Sequence, residues 1–215
     1  LNKTAIVLGA TGLIGSHVTE LLLNDERYSS VKIFHRRSTG IDHEKLEEHI
    51  IDFDAIDRWK DLLTGDELYS AMGTTIKKAG NKDAQYKIDV TYPLKVAVAA
   101  AENGVKKYSL VSSAGADKDS KLFYPRIKGE LEEAVMGLPF TLITIMRPSV
   151  LDGDRNENRP GEAFAIFAMN ILGKLPGLSK YRPIHARTVA HGMIQSLNDR
   201  SGGSHIIESE QIFYL

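Results

Sequence analysis

One run near the amino end constrains this chain more than any other: Lys3-Thr-Ala-Ile-Val-Leu-Gly9-Ala-Thr-Gly12-Leu-Ile-Gly15 joins a short apolar stretch to three evenly spaced glycines and then to a helical pattern. Gly9 permits a tight turn, Gly12 lets backbone N–H groups approach a pyrophosphate, and Gly15 lets the following helix pack closely on the strand. Phosphates would sit at the helix N-terminus, where unpaired N–H groups and the helix dipole favour negative charge. An ordinary glycine-rich turn is the competing view, and the strand before and helix after argue against it.

The same strand-to-helix alternation continues along the chain. Residues 4–9 read as a strand, 13–24 as a helix and 31–35 as a second strand, making a right-handed βαβ unit. Ile50-Ile51 reads as a short third strand, 67–72 as a fourth and 83–103 as a long helix ending at Gly104, a residue suited to a left-handed cap. Residues 107–111 form a fifth strand, 125–136 a helix, 140–146 a sixth strand, 187–198 a helix and 205–208 a closing strand. This rhythm predicts the α/β class: a doubly wound parallel sheet of the Rossmann type in one domain spanning 1–215, with 151–185 as a substrate-side or lid region. Ligands bind beyond the C-terminal ends of the strands in such sheets.

With 27 Lys and Arg against 28 Asp and Glu, the chain has no basic excess, which argues against nucleic acid as a partner. The absence of Cys removes disulfides, thiolate nucleophiles and Cys-bound metal, so chemistry falls to hydroxyls, amines, carboxylates or His. His185 and His191 lack an acidic cluster at metal-ligand spacing, and no metal is expected. No run approaches the roughly 20 apolar residues of a transmembrane segment, and a cytoplasmic protein acting on a small-molecule substrate is expected. The apolar stretch at 162–172 reads first as a buried or homodimer-packing helix, then as a lid, then as a membrane-surface contact.

Dinucleotide selection falls at the end of the second strand, where an acid would bind a ribose 2′-OH and Arg would favour a 2′-phosphate. The chain has Arg36 and Arg37 there and no acid, so NADP(H) is expected over NAD(H). Asp52 and Asp54 follow the third strand, where a carboxylate could take a hydrogen bond from the adenine amino group; Asp54 reads equally well as a helix N-cap. Met72-Gly73-Thr74-Thr75 follows the fourth strand, where small residues allow close approach of the backbone to a cofactor, or form a plain turn.

Tyr124 and Lys128 stand four residues apart, on one face of a helix. A phenol with reference pKa near 10 becomes a usable acid near neutrality when a cation stabilises its phenolate. Ser113, with Ser112 as the fallback, could donate a hydrogen bond to a substrate oxygen at the end of the fifth strand. Pro125 disfavours helical geometry at Tyr124, which is expected at a helix boundary.

At these residues the chain resembles the short-chain dehydrogenase/reductase superfamily, in its atypical single-domain branch. The turn Gly9-Ala-Thr-Gly-Leu-Ile-Gly15, with Gly73-Thr-Thr, Ser112-Ser-Ala-Gly-Ala-Asp117, Tyr124-Pro-Arg-Ile-Lys-Gly-Glu130, Arg147-Pro148 and Arg159-Pro-Gly-Glu162, is similar to the Tat-interacting protein group. The resemblance implies NADPH binding through Gly9, Thr11, Gly12, Leu13, Ile14, Arg36, Arg37 and Gly73, with Tyr124 as proton donor and Lys128 holding the ribose. Leu151 and Arg159 match positions that reach the cofactor in such relatives. The function expected is an NADPH-dependent reductase of a carbonyl or activated alkene. The alternative is a non-catalytic NADP(H)-sensing or protein-interaction module, and an epimerase of nucleotide-linked sugars would need a larger C-terminal region.

Overall fold

The computed structural model describes residues 2–152 and 182–215. In chain order the elements are β1 (Lys3–Leu8), α1 (Leu13–Leu23), β2 (Tyr28–His35), β3 (Leu46–Ile50), β4 (Glu67–Ser70), α2 (Ile76–Ala79), α3 (Lys82–Tyr86), α4 (Tyr92–Glu102), β5 (Lys107–Val111) and α5 (Phe123–Met136). They continue with β6 (Leu142–Arg147), β7 (Leu151–Asp152), β8 (Ile184–His185), α6 (Ala186–Asp199), β9 (Gly203–Glu208) and α7 (Ser209–Ile212). Seven strands form one parallel sheet in the order β3-β2-β1-β4-β5-β6-β9. From β1 the chain winds outward through β2 and β3, then returns to β4 on the other side of β1. That reversal opens a crevice above the carboxyl ends of β1 and β4.

Alternating side chains of β1 feed two cores. Ala5 and Val7 pack with Val18 and Leu22 of α1 and with Met193 and Leu197 of α6. Ile6 and Leu8 pack on the opposite face with Val96 and Ala100 of α4, Ile127 and Leu131 of α5, and Trp59. Successive strand residues point to opposite faces, so the part of a strand covered on both sides must be apolar throughout, as Ala5–Leu8 is. Each fully buried Leu or Ile contributes about 1.5–3 kcal/mol.

At the amino-terminal end of the sheet, Glu67 is buried and accepts hydrogen bonds from Tyr28 (2.6 Å), Tyr69 (2.7 Å) and Lys3 (2.9 Å). Asn198 of α6 donates to the Tyr28 hydroxyl at 3.0 Å, fastening that helix to the sheet. The mutual hydrogen bonding meets the need of buried polar groups for partners.

Two segments differ from what the sequence pattern predicts, and a third matches it. The third strand is Leu46–Ile50 and not Ile50-Ile51, because β3 is a sheet edge whose Glu47, Glu48 and His49 give no apolar run. The single long helix expected over 83–103 is interrupted: α3 passes into a π-turn at Lys87–Thr91, where the Tyr92 N–H bonds the Lys87 carbonyl five residues back, and only then becomes α4. Pro93 accounts for this, since it has no N–H for the Asp89 carbonyl and its ring crowds that oxygen. Tyr124 is the second residue of α5, at the boundary expected for it, and Pro125 falls in the first turn, where no intrahelical N–H is required.

β7 and β8 pair in parallel, with Leu151 opposite Ile184 and Asp152 opposite His185. The helix expected at 162–172, and Arg159, lie outside the described residues. His185 Nε2 stands 3.7 Å from one carboxylate, that of Asp152.

Candidate functional site

The glycine turn is held by backbone packing. Gly9 has φ +86°, and a Cβ there would stand 2.7 Å from the Met72 nitrogen beyond β4. The Gly12 N–H donates to the Gly9 carbonyl at 2.9 Å. Gly12 is also the N-cap of α1, with no side chain capping its free N–H groups and no acid in the first turn. Those donors and the dipole therefore face the crevice, a site suited to a diphosphate.

A cavity of about 580 Å³ opens at this point. Thr11, Gly12, Leu13 and Ile14 line it from the first loop, Met72 and Gly73 from the end of β4, Tyr124 and Lys128 from α5, and Leu151 from β7. These residues, read from separate stretches of sequence, border one space. Gly9 stands behind the wall and shapes the turn.

Lys128 is 4% exposed, and its Nζ lies 5.8 Å from the centre of the Tyr124 ring. Tyr124 is 41% exposed and open to the cavity. The four-residue spacing thus gives the pairing expected of it: a buried cation beside an accessible phenol on one helical face. Asp89, carried by the π-turn, joins them from the other side, with Oδ2 3.8 Å from Lys128 Nζ and Oδ1 accepting the Thr74 N–H at 2.6 Å. Burial pushes the Asp89 carboxyl above its ordinary pKa, and the Lys128 charge opposes that shift.

The two serines after β5 differ in access. Ser112 borders the cavity, but its Oγ is sealed from solvent without a hydrogen-bond partner. Ser113, the serine expected in the site, does not border the cavity; it is half-buried, and its Oγ donates a 3.2 Å bond to the carbonyl of neighbouring Ala114.

Arg36 and Arg37 are exposed on the loop after β2, outside the cavity wall. That loop is clamped by Glu48 of β3, which accepts hydrogen bonds from Ser38 Oγ (2.6 Å) and from the Thr39 N–H (2.8 Å). His35 Nε2 approaches the same carboxylate at 3.1 Å. The hydroxyl and amide donors hold the Glu48 pKa down to about 2.

Asp52 does not line the cavity. Its carboxylate caps the short 3-10 turn that follows β3, accepting the Asp54 N–H at 2.9 Å. The cap expected at Asp54 is therefore Asp52, because the turn begins one residue after it. Asp54 instead pairs with Lys87 Nζ at 2.6 Å and the Tyr92 hydroxyl at 2.9 Å.

Thr74 and Thr75, from the same run as Met72 and Gly73, also border the cavity. Sequence reasoning missed Ser16, Lys78 and Asp89 in its wall, and Asp89 carried no local signal because its approach depends on the π-turn.

A family model described as the NAD dependent epimerase/dehydratase family matches residues 5–132, which run from β1 through Tyr124 and Lys128. The chain is 34% identical over 206 residues to the Aspergillus niger protein fmp52, mitochondrial, covering 89% of this chain and 87% of that one. It is also 34% identical over 221 residues to the rat protein HTATIP2, covering 100% of this chain and 89% of that one. Among solved structures, the Bordetella bronchiseptica enzyme WbmH in complex with NAD+ superposes with a TM-score of 0.74 at 16% identity, covering 97% of this chain and 76% of that one. The chain belongs to the NAD dependent epimerase/dehydratase family and, with these relatives, to the atypical short-chain dehydrogenase/reductases of the Tat-interacting protein group.

The cytoplasmic location expected from composition is overturned by the fungal relatives, which are named as mitochondrial. Neither the lack of Cys nor the lack of a long apolar run distinguishes one aqueous reducing compartment from another. Among the described residues, no helix is long and apolar enough to cross a membrane.

Proposed function

We propose that this chain is an NADPH-dependent oxidoreductase that reduces a carbonyl or an activated alkene, with Tyr124 as proton donor. The observation that carries the reading is the convergence of the uncapped α1 N-terminus, the Tyr124 phenol and the buried Lys128 ammonium on one cavity. Gly12 and the first turn of α1 would hold the diphosphate, with Gly9 and Gly15 shaping that turn. Thr11, Leu13, Ile14, Met72, Gly73 and Leu151 would flank the rest of the cofactor. Arg36 and Arg37 would pair with a 2′-phosphate, which matches two guanidinium forks and fits poorly with an NAD ribose.

Bound NADPH would supply the hydride that reaches the electrophilic carbon of the substrate. Tyr124 gives its phenolic proton to the atom that gains the electron pair, and Lys128 stabilises the phenolate left behind. Ser113 is assigned to orient the substrate oxygen, because its Oγ is held only by a 3.2 Å bond to a neighbouring carbonyl, whereas Ser112 borders the cavity with its own Oγ sealed from solvent.

The test is calorimetry with NADPH and NADH, followed by turnover on a panel of aldehydes, quinones and enones. NADPH should bind more tightly, and Arg36→Ala with Arg37→Ala should weaken it about 10-fold or more while sparing NADH. Tyr124→Phe should retain NADPH and lose turnover about 100-fold. Preference for NADH would reject the Arg36 and Arg37 assignment, and undiminished turnover in Tyr124→Phe would reject the proton donor. Tight NADPH binding with no turnover across the panel would favour a cofactor-sensing module.

A further inference from the structure

Asp89 stands out among the charged groups of the site. It is 1% exposed, and its Oδ2 is buried without a hydrogen-bond partner. Among the described residues it is paired with one cation, Lys128, whose Nζ lies 3.8 Å away, too far for a hydrogen bond. The other oxygen anchors the Thr74 backbone, and Gln85 ties the same loop by donating to the Thr74 carbonyl at 3.2 Å. A neutral carboxamide would serve the Thr74 N–H equally well, so the charge of the carboxylate is directed at Lys128, the other buried charge beside it. Buried charges of this kind collect where they tune chemistry.

We propose that Asp89 is a positioning residue: it steers Lys128 against the cavity wall and, as an anion, damps the field that Lys128 exerts on the Tyr124 phenol. The proposal rests on the assignment of Tyr124 as proton donor. Lys128 is needed to stabilise the phenolate, yet an undamped ammonium would draw the proton off too early, leaving a donor with nothing to give. The nearby carboxylate offsets part of that charge. The π-turn sets its placement, because Pro93 interrupts the α-helix at the residue that carries the acid. Gly73 lies beside the pair: a Cβ there would be 3.7 Å from Lys128 Nζ and 3.8 Å from both Asp89 oxygens. Among the described residues, the charged side chains lining the cavity are Lys78 on α2, Asp89 on the π-turn and Lys128 on α5.

The phenol can be titrated directly by 13C NMR on protein labelled at the tyrosine Cζ, with Tyr124→Phe identifying the resonance. A phenol titrates near pH 10, where the carboxyl is ionised, so Asp89→Asn changes charge while leaving an acceptor for Thr74. We expect Asp89→Asn to lower the Tyr124 midpoint by about one pH unit, and Lys128→Met to raise it. Asp89→Ser, smaller and also neutral, serves if the Asn variant does not fold. An unmoved or raised midpoint in the folded neutral variant overturns the proposal. Because the measurement needs no substrate, that failure is separate from failure of the reductase reading, which shows instead as turnover that survives Tyr124→Phe.

Discussion

The carbonyl oxygen of Gly9 lies 2.1 Å from the point that a Cβ on Gly15 would occupy. No side-chain rotation relieves such a contact, because one partner is backbone in the turn and the other is fixed in α1. Gly15→Ala should push α1 off β1 and destabilise the protein by about 1–3 kcal/mol. Gly73→Ala meets only ordinary contacts and should melt close to wild type. Thermal denaturation of the two variants side by side distinguishes them, and equal melting temperatures would contradict the close strand–helix contact.

Arg147 ties three elements together. Its Nε and Nη2 donate to the buried Glu132 of α5 at 3.0 and 2.6 Å, and its Nη1 donates to Glu208 of β9 at 3.0 Å. Arg147→Met strands the Glu132 charge and should cost about 3 kcal/mol in urea denaturation. Arg147→Met combined with Glu132→Leu should recover most of that loss, because the uncompensated charge is gone. A double variant no more stable than the single one would reject this account.

Glu48 makes a pH-dependent contribution. Its pKa is depressed from an ordinary 4.5 to about 2 by the donors of Ser38 and Thr39. The stabilisation is therefore complete above the unfolded value and disappears as pH falls through the folded one. The difference in melting temperature between wild type and Glu48→Gln should be full at neutral pH, shrink from about pH 4.5 and close near pH 2. A gap that stays constant over that range would mean the carboxylate does not clamp the turn. Since the turn carries Arg36 and Arg37, Glu48→Gln should also weaken NADPH more than NADH in calorimetry.

Features that depend on local spacing were legible in the order of the amino acids. Gly9, Gly12 and Gly15 announced a strand–turn–helix because each glycine answers a local backbone requirement. β5 and the first residues of α1 fell where periodicity put them, since both faces of a central strand and one stripe of a helix must be apolar. Tyr124 and Lys128 were legible for the same reason, four residues being one helical turn. Tertiary structure decided what depends on chain segments meeting from a distance. The edge strand β3 was expected at Ile50-Ile51 and starts four residues earlier, at Leu46, because pairing with β2 defines it and no apolar run does. Asp89 reached Lys128 only because the π-turn at Pro93 and the packing of α5 brought them together, and Glu48 met Ser38 and Thr39 only across the β2–β3 pairing. Hydrophobic periodicity fixes which face of an element is buried; it carries no information about which polar atoms from other elements will arrive there.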